Sequence, residues 1–180
     1  MYPLMATLLM LSRLARAPAL DDPVAITERY LEALVRFDHA TMAQLREWPA
    51  EEQARLKAMR SFERATSSKW TWQIIAVRGA VVHVLETEDN TYYQLLGVGR
   101  ATQIVAYRIG RGRIVSAESE FHVNASGDQS TESRRFTSWM LAQPNGPDPE
   151  VVGDGGLRFA ATSAPKLLKW LAQWKAIGRP

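Results

Sequence analysis

The chain has 180 residues, 46% hydrophobic, 23% charged and 9% aromatic, the proportions of one globular domain rather than of a disordered, fibrous or multidomain protein. Lys plus Arg exceed Asp plus Glu by 22 − 19 = 3, and Arg13 and Arg16 supply two of those charges, so the body is nearly neutral and phosphate-driven nucleic-acid binding is not expected. With no Cys, disulfide frameworks, thiolate metal sites and Cys nucleophiles are excluded.

Residues 1–20 read in two ways. The apolar run from Leu4 to Leu11, followed by small residues at Ala15, Ala17 and Ala19, has the outline of a secretory signal. Against it, no Lys or Arg precedes the run, and Arg13 and Arg16 follow it, so the processing rules favour a cytoplasmic chain with an amphipathic or disordered arm. The run is too short to span a bilayer, and no later stretch is long enough.

Asp21, Asp22 and Pro23 open a helix in which Ile26, Tyr30, Leu31, Leu34 and Val35 recur at helical spacing. Asp38 caps a second short helix, and Pro49 opens a third with acids in its first turn. From Trp70 the pattern turns to strands: KWTWQIIAV, then a turn at Arg78-Gly79, then AVVHVLETE. TYYQLLG makes one or two helical turns before ATQIVAYRI and RIVSAESEFHV, which the tight Gly110-Arg111-Gly112 turn joins. A further helix follows at STESRRFTSWMLAQ, then a Pro/Gly-rich loop from Pro144 to Gly156, long enough for a mobile flap. The last helix, from about Ala164 to Ile177, has a stripe of Leu167, Trp170, Leu171, Trp174 and Ile177 that is expected to pack on its own domain. The expected class is α+β: helices packed on a strongly curved antiparallel sheet over residues 21–130, with a helical extension over 131–180.

RYLEALVRFD, NTYYQLLGVG and YRIGRGRIVSAES, with this order of elements, resemble the nuclear transport factor 2-like superfamily, which includes steroid delta-isomerases and SnoaL-like cyclases. The resemblance spans about Pro23 to Val123. It implies a cone-shaped roll with a pocket between the first helix and the concave sheet face, and it implies that Tyr30 stands where the isomerases carry a pocket tyrosine. The isomerase acids are missing: no Asp lies between Asp38 and Asp89, and Ile104 or Val105 stands where the second acid is expected. Steroid isomerisation is therefore not expected, and because the fold hosts many functions, activity has to be argued from the site.

Strand alternation sorts the pocket candidates. On the last strand Val115, Ala117, Ser119, Phe121 and Val123 form the apolar, inward face, leaving Glu118, Glu120 and His122 outside, with Arg108 of the neighbouring strand among the outer residues. On AVVHVLETE the more uniformly apolar face is Val81, His83, Leu85 and Thr87, which turns His83 inward. Tyr30, Trp72, His83, Tyr107, Ser119 and Phe121 are thus the expected ligand-binding residues. His83 is the candidate general base and Tyr30 the candidate hydrogen-bond donor. No cofactor motif or metal-ligand spacing occurs.

Three functions fit these readings. The first is a domain that binds a small apolar ligand or has no catalytic role, forming a homodimer through the outer sheet face. The second is a proton-transfer, cyclase or hydrolase enzyme on a small carbonyl compound, using His83 and Tyr30. The third is an adaptor working through the basic last helix and the loop before it, with the cone filled by its own side chains.

Overall fold

The structure, a computed structural model, describes residues 22–147, 149–153 and 156–178. The N-terminal segment that reads as a signal or an arm lies outside them. Helices α1 (Pro23–Val35), α2 (His39–Leu45) and α3 (Ala50–Ala65) precede strands β1 (Lys69–Arg78) and β2 (Val81–Asp89). After the short α4 (Thr91–Leu96) come β3 (Ala101–Gly110), β4 (Arg113–Asn124) and α5 (Gln129–Leu141). The two-residue strands β5 (Val152–Gly153) and β6 (Gly156–Leu157) precede α6 (Ala164–Ala176). The chain is an α+β roll whose main sheet runs β1-β2-β3-β4, all antiparallel and open at both edges.

Local chemistry accounts for most boundaries. Asp22 Oδ1 accepts from the Val24 N–H at 3.0 Å and Pro23 occupies the first turn of α1, where its missing N–H costs nothing. Asp38 Oδ1 caps α2 through the Thr41 N–H at 3.1 Å, and Asn90 caps α4 through the Tyr93 N–H at 2.7 Å. In the β3-β4 turn both Arg111 (φ 52°) and Gly112 (φ 71°) are left-handed, as a two-residue turn matched to strand twist requires.

Two clusters of buried side chains form. The first lies between α1, α2 and the inner sheet face: Ile26, Tyr30, Leu31 and Leu34 meet Val82, Val84, Val105 and Tyr107. In the second, Leu167, Leu171 and Trp174 of α6 pack with Tyr92, Leu96, Phe136 and Met140. The stripe on α6 is thus covered by its own chain, apart from the exposed Ile177. Within the Pro/Gly-rich segment after α5, Val151 is fully buried in the second cluster and its carbonyl accepts from the Arg158 N–H at 2.8 Å.

Two expected strand faces are corrected. On β2 the buried residues are Val82, Val84, Glu86 and Glu88, so His83 and Leu85 belong to the outer face. On β4 the pairing slips twice, with Val115 and Glu120 each an extra residue against β3. Each bulge resets the alternation. Ala117 and Ser119 stay opposite Tyr107 and Val105 on the inner face, while Phe121 pairs with Ile104 on the outer face and is 53% exposed. His122, opposite Gln103, returns to the inner side.

Candidate functional site

A cavity of about 390 Å³ opens between α1, α3 and the inner sheet face. Its apolar walls are Leu34, Leu56, Met59, Trp48, Trp70, Val105 and Ala117. Its polar groups are Tyr30, Tyr107, Glu86, Gln103 and Ser119, with Arg46, Arg55, Arg60 and Glu52. The lining thus combines apolar walls with converging polar and charged groups.

Each polar group is held by an identifiable element. Glu86 lies on β2 opposite Gln103 of β3, whose Nε2 donates to Oε2 at 2.9 Å, and the Tyr107 hydroxyl donates to Oε1. Burial pushes the Glu86 carboxyl above its ordinary range, against the pull of these two donors and of Arg60 and Arg46. Burial likewise raises the Tyr30 hydroxyl, with Arg46 acting in the opposite direction, so at neutral pH Tyr30 is a donor. The ring centroids of Tyr30 and Tyr107 are 5.7 Å apart.

Arg60 projects from α3 and is buried, with its Nη1 2.6 Å from Glu63 Oε2 and its guanidinium 5.3 Å from the Trp70 ring centroid. Glu63 is pushed up to about 8 by burial, Arg60 lowering it and nearby Glu88 raising it. Glu88 in turn accepts on Oε1 from Ser68 Oγ at 2.7 Å and Asn90 Nδ2 at 2.8 Å. Arg46, at the end of α2, lies flat over Trp48 with its guanidinium carbon 3.6 Å from the ring centroid.

Of the residues expected from sequence, Tyr30, Tyr107 and Ser119 line the cavity. Trp72 packs against the first cluster without lining it, and its neighbour Trp70 does line it. His83 stands on the opposite face, its Nδ1 2.9 Å from Glu120 Oε2, so it does not meet Tyr30. Phe121 is on that outer face as well.

Sequence reading overlooked Glu86, Gln103, Arg46, Arg60 and Trp48. A signal for Glu86 existed: Gln103 and Tyr107, both able to donate, share strand parity with the buried Val105 and face the sheet neighbour that carries Glu86. Arg46 and Arg60 had no such signal, because helical spacing does not say which neighbouring surface a long side chain reaches.

Tyr30 and the arginines can donate to an acceptor on a bound molecule, whereas both Glu86 oxygens already hold donors from the protein. Among the described residues no group of three or more His, Asp or Glu could hold a metal ion, and no helix is long and apolar enough to cross a membrane. Comparison of the chain with protein-family models, curated proteins and solved structures returns no match.

Proposed function

We propose that this protein is a nuclear transport factor 2-like domain that binds a small, largely apolar molecule between its helices and the inner sheet face. The observation that carries the reading is the cavity of about 390 Å³ beside Tyr30, which the chain's own side chains leave open. A domain serving only as an adaptor is expected to fill that space, since native cores pack to crystal-like density. Binding is favoured over proton transfer because His83 faces away and Glu86 is tied to Tyr107 and Gln103.

The outer face supports a second copy of the chain there, with Phe121 and Val123 of β4 53% and 47% exposed beside each other on that edge of the sheet. Apolar groups grouped in this way commonly mark an interaction surface.

Ala117 permits a direct test, because it lines the cavity and is small. A library of neutral aromatic and aliphatic fragments is screened by thermal shift against the full chain and against Ala117→Trp. Fragments that raise the melting temperature of the wild type and leave the variant unmoved are the expected result. Hits that stabilise both proteins alike, or no hits with the wild type, would refute the reading.

A further inference from the structure

We propose that the molecule this cavity receives is a small organic carboxylate, its anionic group held by Arg46 and Arg60 and its apolar body lying along Trp48, Leu56 and Trp70. The inference rests on the ligand-binding reading above and adds the chemical class of the ligand.

Charge within the cavity is the first support. A guanidinium cannot give up its proton in a protein, so Arg46 and Arg60 are permanent cations. Arg60 is only 8% exposed, and its Nε has no hydrogen-bond partner. Among the described residues its carboxylate contact is Glu63, whose Oε2 lies 2.6 Å from Nη1. Arg46 makes no ion pair among the described residues; its guanidinium lies over Trp48 and donates a hydrogen bond to the Tyr30 hydroxyl.

Three arginines, Arg46, Arg55 and Arg60, line the cavity against two acids, Glu52 and Glu86. Glu86 is committed to Tyr107 and Gln103, and burial shifts it as well towards the neutral form. Glu52 is exposed and belongs to the first turn of α3. Arg46 is left without a carboxylate partner among the described residues, and an incoming anion supplies one.

Shape supports a carboxylate with a hydrocarbon body rather than a compact inorganic ion. Two flat guanidinium groups present the paired donors that match two carboxylate oxygens. The indole rings of Trp48 and Trp70 and the side chains of Leu34, Leu56 and Met59 occupy the remaining walls, leaving room for apolar atoms. The Tyr30 hydroxyl is a further polar group on the same cavity wall.

The test pairs each acid with its neutral amide: octanoate with octanamide, and naphthoate with naphthamide. Each is titrated calorimetrically into the full chain, Arg46→Gln and Arg46→Lys. The expected result is that at least one acid binds the wild type roughly tenfold more tightly than its amide, the scale of a charged hydrogen bond. Arg46→Gln is expected to remove that preference while leaving amide affinity in place, and Arg46→Lys to retain part of it. Equal affinity for acid and amide overturns the carboxylate assignment and leaves the ligand-binding reading standing. A preference unchanged in Arg46→Gln overturns the assignment to Arg46. If neither acid binds, the carboxylate proposal falls, and whether the neutral fragments still distinguish wild type from Ala117→Trp decides if the broader reading falls with it.

Discussion

The inner face of the sheet carries Val82, Val84, Glu86 and Glu88 of β2 beside Ala101, Gln103, Val105 and Tyr107 of β3, whereas the outer face carries His83, Leu85 and Thr87 beside Thr102, Ile104 and Phe121. Both carboxylates are buried on the inner face, while Phe121 on the other is more than half exposed. The difference shows that burial is decided by what covers a face and by which donors that cover supplies. Helices α1 and α3 cover the inner face, and Tyr107, Gln103, Ser68 and Asn90 satisfy the acids there. No element of the described chain packs the same way over the outer face, where Leu85 and Ile104 are half-buried and Phe121 is exposed.

The largest effect expected from this contrast is a pH dependence set by Glu63. In the unfolded chain its carboxyl titrates near its ordinary value of 4.5, while in the folded protein it holds its proton to about 8. Between these values the folded state binds the extra proton. Its stabilising contribution is therefore complete below about 4.5 and is lost as pH rises through about 8. Urea unfolding across this window should show stability falling by at most ~1.4 kcal/mol per pH unit from this group. Glu63→Gln should flatten the slope, and an unchanged slope in that variant would show that Glu63 is ionised throughout.

Next in size is the loss of a single inner-face donor. Tyr107→Phe keeps the ring and leaves Glu86 Oε1 without its tyrosine partner, at an expected cost of ~1–3 kcal/mol in urea unfolding at neutral pH. A negligible cost would mean that water replaces the hydroxyl and that the inner face is wetter than its burial implies.

The smallest effects belong to the outer face. His83→Ala and Phe121→Ala should each change monomer stability by less than ~0.5 kcal/mol, because the His83 contact to Glu120 is near solvent and Phe121 is largely exposed. If a second copy covers this face, Phe121→Glu should shift the sedimentation of the full chain from dimer towards monomer. Wild-type protein that sediments as a monomer removes the dimer from the functional reading.

Helix and strand boundaries were largely legible, because their causes are local: Asp22, Asp38 and Asn90 accept from the first turns they precede, and Arg111-Gly112 sets the last hairpin. Tyr107 and Tyr30 could be placed on inward faces because each sits in a run of one periodicity. The same method misplaced His83, since it ranked the faces of β2 by apolar content, and the face with Glu86 and Glu88 ranked lower. It misplaced Phe121 because the bulge at Glu120 leaves no mark in the alternation RIVSAESEFHV. Arg46 and Arg60 went unnoticed because helical spacing does not show that both line one cavity.

By itself the sequence determined the order of helices and strands, the antiparallel sheet and the class of fold, since caps, turns and periodicity act over a few residues. Tertiary structure alone decided which face of the sheet is the inner one, where β4 slips, and which charges share a space. These depend on contacts between residues distant along the chain, where a carboxylate becomes tolerable inside only once its donors arrive from another strand.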